Sequence, residues 1–176
     1  MNDRTLDTQQ NADAEKAFSL LQDLYDKLPA MQKRGEALAR ARQAQTIVRL
    51  EGELRTARVL LDEAEARERA AREAFALAQR DGDDALVDER RRAALHAGAL
   101  KGFRVGPAKN AEAALAQALE EGSFADASEA RAALMDDEAL SALEEEVEAY
   151  RRAYAQALER CQQFAGADDV DGFDAR

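Results

Sequence analysis

Residues 47–78 read IVRLEGELRTARVLLDEAEARERAAREAFALA, and this stretch decides the fold class. Apolar and small side chains recur in it at alternating spacings of about three and four residues, the heptad pattern of a helix that packs along another helix. Only Glu68 interrupts the series. This side of the helix, the alanine face, has small residues that predict close approach of the partner helix. Its predicted interface positions are Leu50, Leu54, Ala57, Leu61, Ala64, Ala71, Phe75 and Ala78.

A second heptad series, with larger side chains, lies in the last third of the chain. It predicts a helix over residues 137–164 whose interface side we call the bulky face. Because bulky side chains complement the alanine face in size, we expect the two helices to pair, either within one chain or between two chains. The bulky face consists of Leu140, Leu143, Val147, Tyr150, Tyr154, Ala157, Cys161 and Phe164.

The composition of the whole chain also favours long helices. Of 176 residues, 35% are charged, 5% are aromatic and none is Trp. Hydrophobic residues make up 46%, but roughly 40 of them are alanine, and such a mixture is typical of coiled coils. The predicted fold is therefore all-α, with about five helices that include long antiparallel coiled-coil helices and short connecting helices. β-sandwich, barrel and Rossmann architectures are excluded.

Glycine, proline and capping residues divide the chain. We predict a disordered lead-in at 1–13, a helical domain at 14–164 and an acidic disordered tail at 165–176. Pro29 predicts a kink or a break in the first helix. Residues 81–84, Asp-Gly-Asp-Asp, predict a helix end, a turn and a new N-cap. The region 102–107 contains two glycines and a proline and predicts a loop, followed by a short helix that ends at Gly122.

The catalytic and membrane-spanning classes lack their sequence signals. No Gly-Lys-Ser/Thr phosphate-binding loop is present, and a lone histidine, His96, cannot supply a zinc site. We therefore expect a non-enzyme with no cofactor, no metal and no small-molecule ligand. No stretch reaches the ~20 apolar residues of a membrane span, and the N-terminus does not look like a signal peptide. Together with one cysteine, Cys161, this indicates a cytoplasmic protein in a reducing compartment.

One part of the chain departs from its acidic background. The formal net charge is -11, which disfavours general binding to nucleic acid or anionic lipid. Basic residues nevertheless concentrate between 90 and 109, here called the basic segment, and such a cluster can hold a phosphate backbone or an acidic partner, or be neutralised by acidic helices nearby. The candidate phosphate contacts are Arg90, Arg91, Arg92, Lys101, Arg104 and Lys109.

The order of segments between 111 and 164 is distinctive. A short helix ends at the step Gly122-x-Phe124-x-Asp126; Ala-Arg-Ala-Ala-Leu at 130–134, an acidic step at 135–138 and the long heptad helix follow. This order resembles the coiled-coil arm of SbcC, the ATPase subunit of an SMC-type bacterial nuclease. Residues 43–92 are similar to it only as arm-like coiled coil. The chain has none of that family's Walker motifs and no Cys-x-x-Cys hook, so no functional residue is transferred.

The resemblance implies a non-catalytic arm segment, a spacer or docking element of a DNA double-strand-break repair ATPase. An alternative is a free-standing cytosolic adaptor or scaffold that self-associates through the heptad helix 137–164. A third hypothesis is a small DNA-binding protein that uses the basic segment. The expected partners are thus another protein or a second copy, bound through the heptad helices, with DNA contact disfavoured in isolation.

Overall fold

The computed structural model describes residues 3–167, and the side chains of residues 11–165. Every regular element in this part of the chain is an α-helix, so the predicted all-α class is confirmed. Met1, Asn2 and residues 168–176 lie outside the described residues, and with them most of the predicted tail. Four helices are present rather than about five: α1 (Asp3–Asp81), α2 (Asp84–Glu121), α3 (Ala127–Ala132) and α4 (Asp137–Ala167).

Helix α1 is longer than predicted at its N-terminal end and is not divided at Pro29. It begins at Asp3, within the predicted lead-in, and continues through Pro29 as one helix. Pro29 has no backbone N–H, so the carbonyl of Tyr25 lacks its usual helical hydrogen bond. This loss weakens the helix locally. Leu24 and Leu38 are buried on either side of this position. Tertiary packing on both sides of the proline therefore outweighs its local cost.

Helix α2 replaces the loop predicted at 102–107. It runs through Gly102, Gly106 and Pro107 to Glu121, so the predicted short helix at 111–121 is the final part of α2. Buried Ala97 and Ala108 lie before and after the expected break. Their packing holds the segment helical, since a few kilocalories of unfavourable propensity are routinely overridden by tertiary context.

The predicted turn between the first two helices is present. Gly82 has a φ of +77°, the left-handed conformation that glycine adopts without strain. Asp83 is the N-cap of α2, and its side chain accepts hydrogen bonds from the backbone N–H groups of Ala85 and Leu86. Asp126 caps α3 in the same manner, by accepting from two backbone N–H groups. The sequence signals for helix starts are therefore reliable in this chain.

The helices of the chain form two compact units. One unit comprises Arg40–Leu134, and the other comprises Met1–Ala39 with Met135–Arg176. In the first unit, the second part of α1 packs with α2 and α3. Contacting residue numbers rise along α1 as they fall along α2, as in the ion pairs Arg58–Glu112 and Glu68–Lys101. The two helix segments therefore run in opposite directions.

The buried core of the Arg40–Leu134 unit lies where α2 meets α3. Phe124 and Ala130 pack there against Ala44 and Ile47 of α1, and Ile47 is completely buried. This group of side chains is here called the Phe124 cluster. Partly buried residues around it come from the end of α2 and from α3: Leu115, Ala118, Leu119, Ala127 and Ala133.

The second unit pairs α4 with the first part of α1. Ala17, Leu24 and Leu38 are buried in α1, and the buried residues of α4 are Val147, Ala157 and Cys161. The bulky face of α4 thus packs on residues 17–38 of α1, and the predicted pairing with the alanine face at 50–78 is wrong within the chain. A short turn joins α1 directly to α2, and consecutive helices so joined are usually neighbours.

Candidate functional site

The predicted alanine face is the inward side of α1 in the Arg40–Leu134 unit. Leu54, Ala64 and Ala78 are buried, and the other five predicted positions, Leu50, Ala57, Leu61, Ala71 and Phe75, are half-buried. Their partner is α2, which buries Ala97 and Ala108. The eight positions thus lie on the inward side of α1, where α2 rather than α4 covers them. Small residues on both sides permit closely spaced helix axes.

Glu68, the one interruption of the alanine face, is buried in this interface. Its Oε2 lies 3.0 Å from Nζ of Lys101 on α2, and its Oε1 lies 2.6 Å from Nη2 of Arg72 on its own helix. The hydrogen bond from Lys101 is the main cause that lowers the pKa of the Glu68 carboxyl, against the opposing effect of desolvation. Gly98 of α2 lies beside this carboxylate, and a Cβ there would be in ordinary contact with Oε1 at 3.6 Å. The pair fixes one register of α1 against α2, the usual role of a polar group in a helix interface.

The bulky face is likewise the inward side of its helix. Val147, Ala157 and Cys161 are buried, and Leu140, Leu143, Tyr150, Tyr154 and Phe164 are half-buried. The hydroxyl of Tyr150 donates to the backbone carbonyl of Leu24 at 2.9 Å, and Arg34 forms an ion pair with Glu146. Burial raises the pKa of the Tyr150 phenol, with a smaller contribution from Tyr154. Cys161 has a buried free thiol, as expected for a small apolar side chain.

Three of the six cations of the basic segment, Arg90, Arg91 and Lys101, lie within 4 Å of a carboxylate. Lys101 faces Glu68, and Arg91 lies 3.5 Å from Asp88 with its guanidinium 6.0 Å from the ring centre of Phe75. Arg90, Lys101 and Arg104 are half-buried, whereas Arg91, Arg92 and Lys109 are exposed. Of the six predicted phosphate contacts, Arg92, Arg104 and Lys109 form no ion pair with the described residues. Lys101 instead has an interhelix structural contact that its charge alone did not reveal.

The Gly122-x-Phe124-x-Asp126 motif places the Phe124 side chain in the Phe124 cluster. Phe124 is buried, and the guanidinium of Arg40 lies 4.2 Å from its ring centre. Arg40 also meets Glu129 at 2.6 Å, and the other oxygen of Glu129 accepts from the backbone N–H of Ala125 at 2.7 Å. A Cβ at Gly122 would lie 2.8 Å from the Phe124 ring. The motif that carries the family resemblance therefore has a folding role here.

A groove between α1 and α2 was not identified from the sequence. It has a volume of 560 Å³ and we call it the Arg104 groove. Arg104 and Pro107 of α2 form one wall, and on α1 it is lined by Arg49, Gly52, Glu53, Thr56, Ala57 and Leu60. A glycine inside a heptad helix was the one sequence signal for it, since such a residue costs helix stability. The groove combines apolar lining residues with Arg104, which has no ion-pair partner among the described residues.

The described residues contain no group of three His, Cys, Asp or Glu side chains arranged to hold a metal ion. None of the described helices has a segment both long and apolar enough to cross a membrane. No protein-family model, curated protein or solved structure matches the chain. The geometry of the helix faces and the Arg104 groove is thus what bears on function.

Proposed function

We propose that the chain is a non-catalytic spacer and docking element, an arm segment of the kind that the SbcC resemblance implies, built as an antiparallel coiled coil. The observation that carries this proposal is that both heptad faces pack within the chain. The alanine face is covered by α2, and the bulky face is covered by residues 17–38 of α1. Paired helices with their interface side chains satisfied suit a mechanical role.

Ion pairs between helices support the spacer role. In the Arg40–Leu134 unit, the cations of four side chains meet a carboxylate on a different helix, at 2.6–3.4 Å. The pairs are Arg40–Glu129, Arg58–Glu112, Lys101–Glu68 and Arg131–Glu51. Exposed pairs contribute little to stability individually, but wrong registers would separate all four, so together they favour a single helix register.

The adaptor alternative uses a face that is already covered. Self-association through 137–164 requires Val147, Ala157 and Cys161, which are buried in their own unit. A second copy reaches these side chains only if α4 leaves α1 and breaks the hydrogen bond from Tyr150 to Leu24. The spacer proposal therefore predicts a monomer, and the adaptor predicts a dimer.

Solution mass distinguishes the two hypotheses. We would measure it by light scattering over a wide concentration range for the whole chain and for Tyr154→Asp, with helix melting by circular dichroism in parallel. The spacer proposal expects a monomer throughout, and it expects Tyr154→Asp to lower the melting temperature because a carboxylate is forced into the half-buried bulky face. Tyr25→Asp, at a position 58% exposed on the same unit, is the matched control and should melt nearly as the parent does. A dimer that Tyr154→Asp dissociates would overturn the proposal in favour of the adaptor.

A further inference from the structure

Among the described residues of its unit, Arg104 is the one half-buried cation without a carboxylate partner; the other cations that lack one, Arg69, Arg80, Arg92 and Lys109, are exposed. Among the described residues, it has no ion-pair or hydrogen-bond partner, although it is half-buried. The chain carries 36 acidic and 25 basic residues, so carboxylates are in excess. A half-buried guanidinium without a partner has lost part of its hydration without compensation. An anionic group from another molecule would supply that compensation.

The surroundings of Arg104 are apolar. Ala57, Leu60 and Pro107 line the groove beside it. The hydroxyl of Thr56 is already used, since it donates to the carbonyl of Gly52 at 3.0 Å. The other two charged groups, Arg49 and Glu53, pair with each other at 2.5 Å. The groove therefore offers an apolar surface with one net positive charge, which suits an apolar side chain next to a carboxylate.

Gly52 makes the groove open, and the fold itself does not require a glycine there. A Cβ at Gly52 would meet no atom within 4 Å. At Gly122, by contrast, a Cβ would clash with Phe124, and Gly82 needs its positive φ. Glycine in a helix interior costs about 0.5–1 kcal/mol relative to alanine. At Gly52 this cost leaves space beside Arg104 for another molecule.

An exposed aromatic side chain is the neighbour of Arg104 in the sequence of α2. Phe103 is 78% exposed, the most exposed large hydrophobic residue among those described. It directly precedes Arg104 and stands one helical turn before Pro107. Because Pro107 has no N–H, the carbonyl of Phe103 also lacks its usual helical donor. A helix laid along the groove would cover this ring.

We propose that the Arg104 groove binds an acidic amphipathic helix of a partner protein. An apolar side chain of that helix enters the space beside Gly52, Ala57 and Leu60, and a neighbouring carboxylate accepts hydrogen bonds from the Arg104 guanidinium. Helix-in-groove recognition of this type combines apolar anchors with flanking charge. This inference deepens the proposed docking role and rests on it, and it names the docking surface and the chemistry of the partner.

The test uses a labelled peptide of about three heptads with leucine at a and d and glutamate at e and g. Its matched control has lysine in place of every glutamate. Fluorescence anisotropy gives the affinity for the whole chain, and amide chemical shifts locate the site. The expected result is binding of the glutamate peptide alone, with shift changes centred on residues 49–60 and 103–107.

Variants of the groove decide whether the site is the one proposed. Arg104→Glu should weaken the glutamate peptide by about tenfold or more and should confer binding of the lysine peptide, because the charge is exchanged. Gly52→Leu should give a similar loss by filling the space, while its melting temperature stays at or above that of the parent. Gly102→Leu is the control, since its Cβ also meets nothing within 4 Å and it does not line the groove.

Several outcomes would overturn the inference. They are no binding at about 1 mM peptide, equal binding of both peptides, or affinity unchanged by Arg104→Glu and Gly52→Leu. Amide chemical-shift changes centred on α4 would show that the peptide binds elsewhere, which overturns the Arg104 groove as the binding site but not the docking role. The solution mass tests the docking role separately. Concentration-dependent shifts at the groove without peptide would identify a second copy as the occupant and would also overturn the proposed acidic partner.

Discussion

The ammonium of Lys101 lies 3.0 Å from Oε2 of Glu68, across the interface between α1 and α2. Glu68 is the one buried charged residue among those described, and it occupies the heptad position that holds Leu54, Leu61 and Phe75 elsewhere in the helix. Removing Glu68 leaves the Lys101 charge in the interface without its carboxylate, and removing Lys101 leaves Glu68 with Arg72 of its own helix alone, whereas removing both leaves neither charge behind. The relationship therefore predicts strong coupling between the two residues.

A double-mutant cycle measures this coupling. We expect Glu68→Leu and Lys101→Leu each to lower the midpoint of urea unfolding, and the double variant to be more stable than the sum of the single effects predicts. Glu73→Gln serves as a control, because Glu73 is exposed on the same helix. Strictly additive effects would show that the pair has no energetic coupling and does not fix the helix register.

The same carboxylate predicts a dependence of stability on pH. The pKa of Glu68 is lowered in the folded chain from its ordinary value of 4.5, mainly by the hydrogen bond from Lys101. A group with a lowered folded pKa contributes stability above the unfolded pKa, and that contribution is lost as the pH falls through the folded pKa. The difference in melting temperature between the parent and Glu68→Gln should therefore be full at pH 7 and shrink steadily below pH 4.5. A difference that stays constant across this range would assign the effect of the variant to packing instead.

Tyr150 joins α4 to α1 by a single hydrogen bond to the carbonyl of Leu24. Tyr150→Phe removes the donor and keeps the ring, so we expect a loss of about 0.5–1.5 kcal/mol in the free energy of unfolding. The folded pKa of this phenol is raised above its ordinary value of 10.0. Its contribution is thus fully present below pH 10 and is lost as the pH rises through the folded pKa. Tyr25→Phe, at an exposed position, should change neither quantity; an equal effect of both variants would contradict a specific role for Tyr150.

Gly122 is the glycine that the fold requires for space. A Cβ there would lie 2.8 Å from the Phe124 ring and 3.1 Å from the carbonyl oxygen of Ala118. Because Phe124 is held between Arg40 and the core, we expect Gly122→Ala to destabilise the chain by about 1–3 kcal/mol, as overpacked cores are. Gly102→Ala, with open space around it, should stabilise by about 0.5–1 kcal/mol. Equal effects of the two variants in chemical unfolding would refute the steric role of Gly122.

The sequence indicated long helices and the faces that they turn inward, but it did not indicate every helix boundary. Heptad spacing pointed to both the alanine face and the bulky face. Burial of one side of a helix imposes a regular spacing of apolar residues, and this spacing does not depend on which helix covers that side. Glycine and capping residues located the turn at Gly82 and the start of α2 because these signals act over one turn of chain. Such local information also marked Glu68 as exceptional, although its partner could not be read from the pattern.

Helix pairing and helix continuity were not predictable in the same way. Size complementarity between the alanine face and the bulky face is a weak criterion, since many pairs of helices satisfy it. The short connection at Gly82 instead makes α2 the nearest partner of α1, at low cost in loop entropy. Pro107 and its neighbouring glycines gave a loop signal that packing of Ala97 and Ala108 overrides. The Arg104 groove depends on both outcomes, so it became visible only in the folded chain.

The arrangement of the basic segment predicts that the chain alone does not bind duplex DNA. Lys101 is held by Glu68 and Arg91 by Asp88, and a phosphate backbone would have to displace these carboxylates against a net charge of -11. Fluorescence anisotropy with a labelled duplex should therefore show no salt-dependent binding between about 50 mM and 200 mM salt. Binding that weakens with salt and disappears in the double variant Arg91→Glu with Arg104→Glu would instead make this segment a phosphate-contact surface. A loss caused by Arg104→Glu alone would place the nucleic acid at the Arg104 groove, in competition with the acidic helix proposed for it.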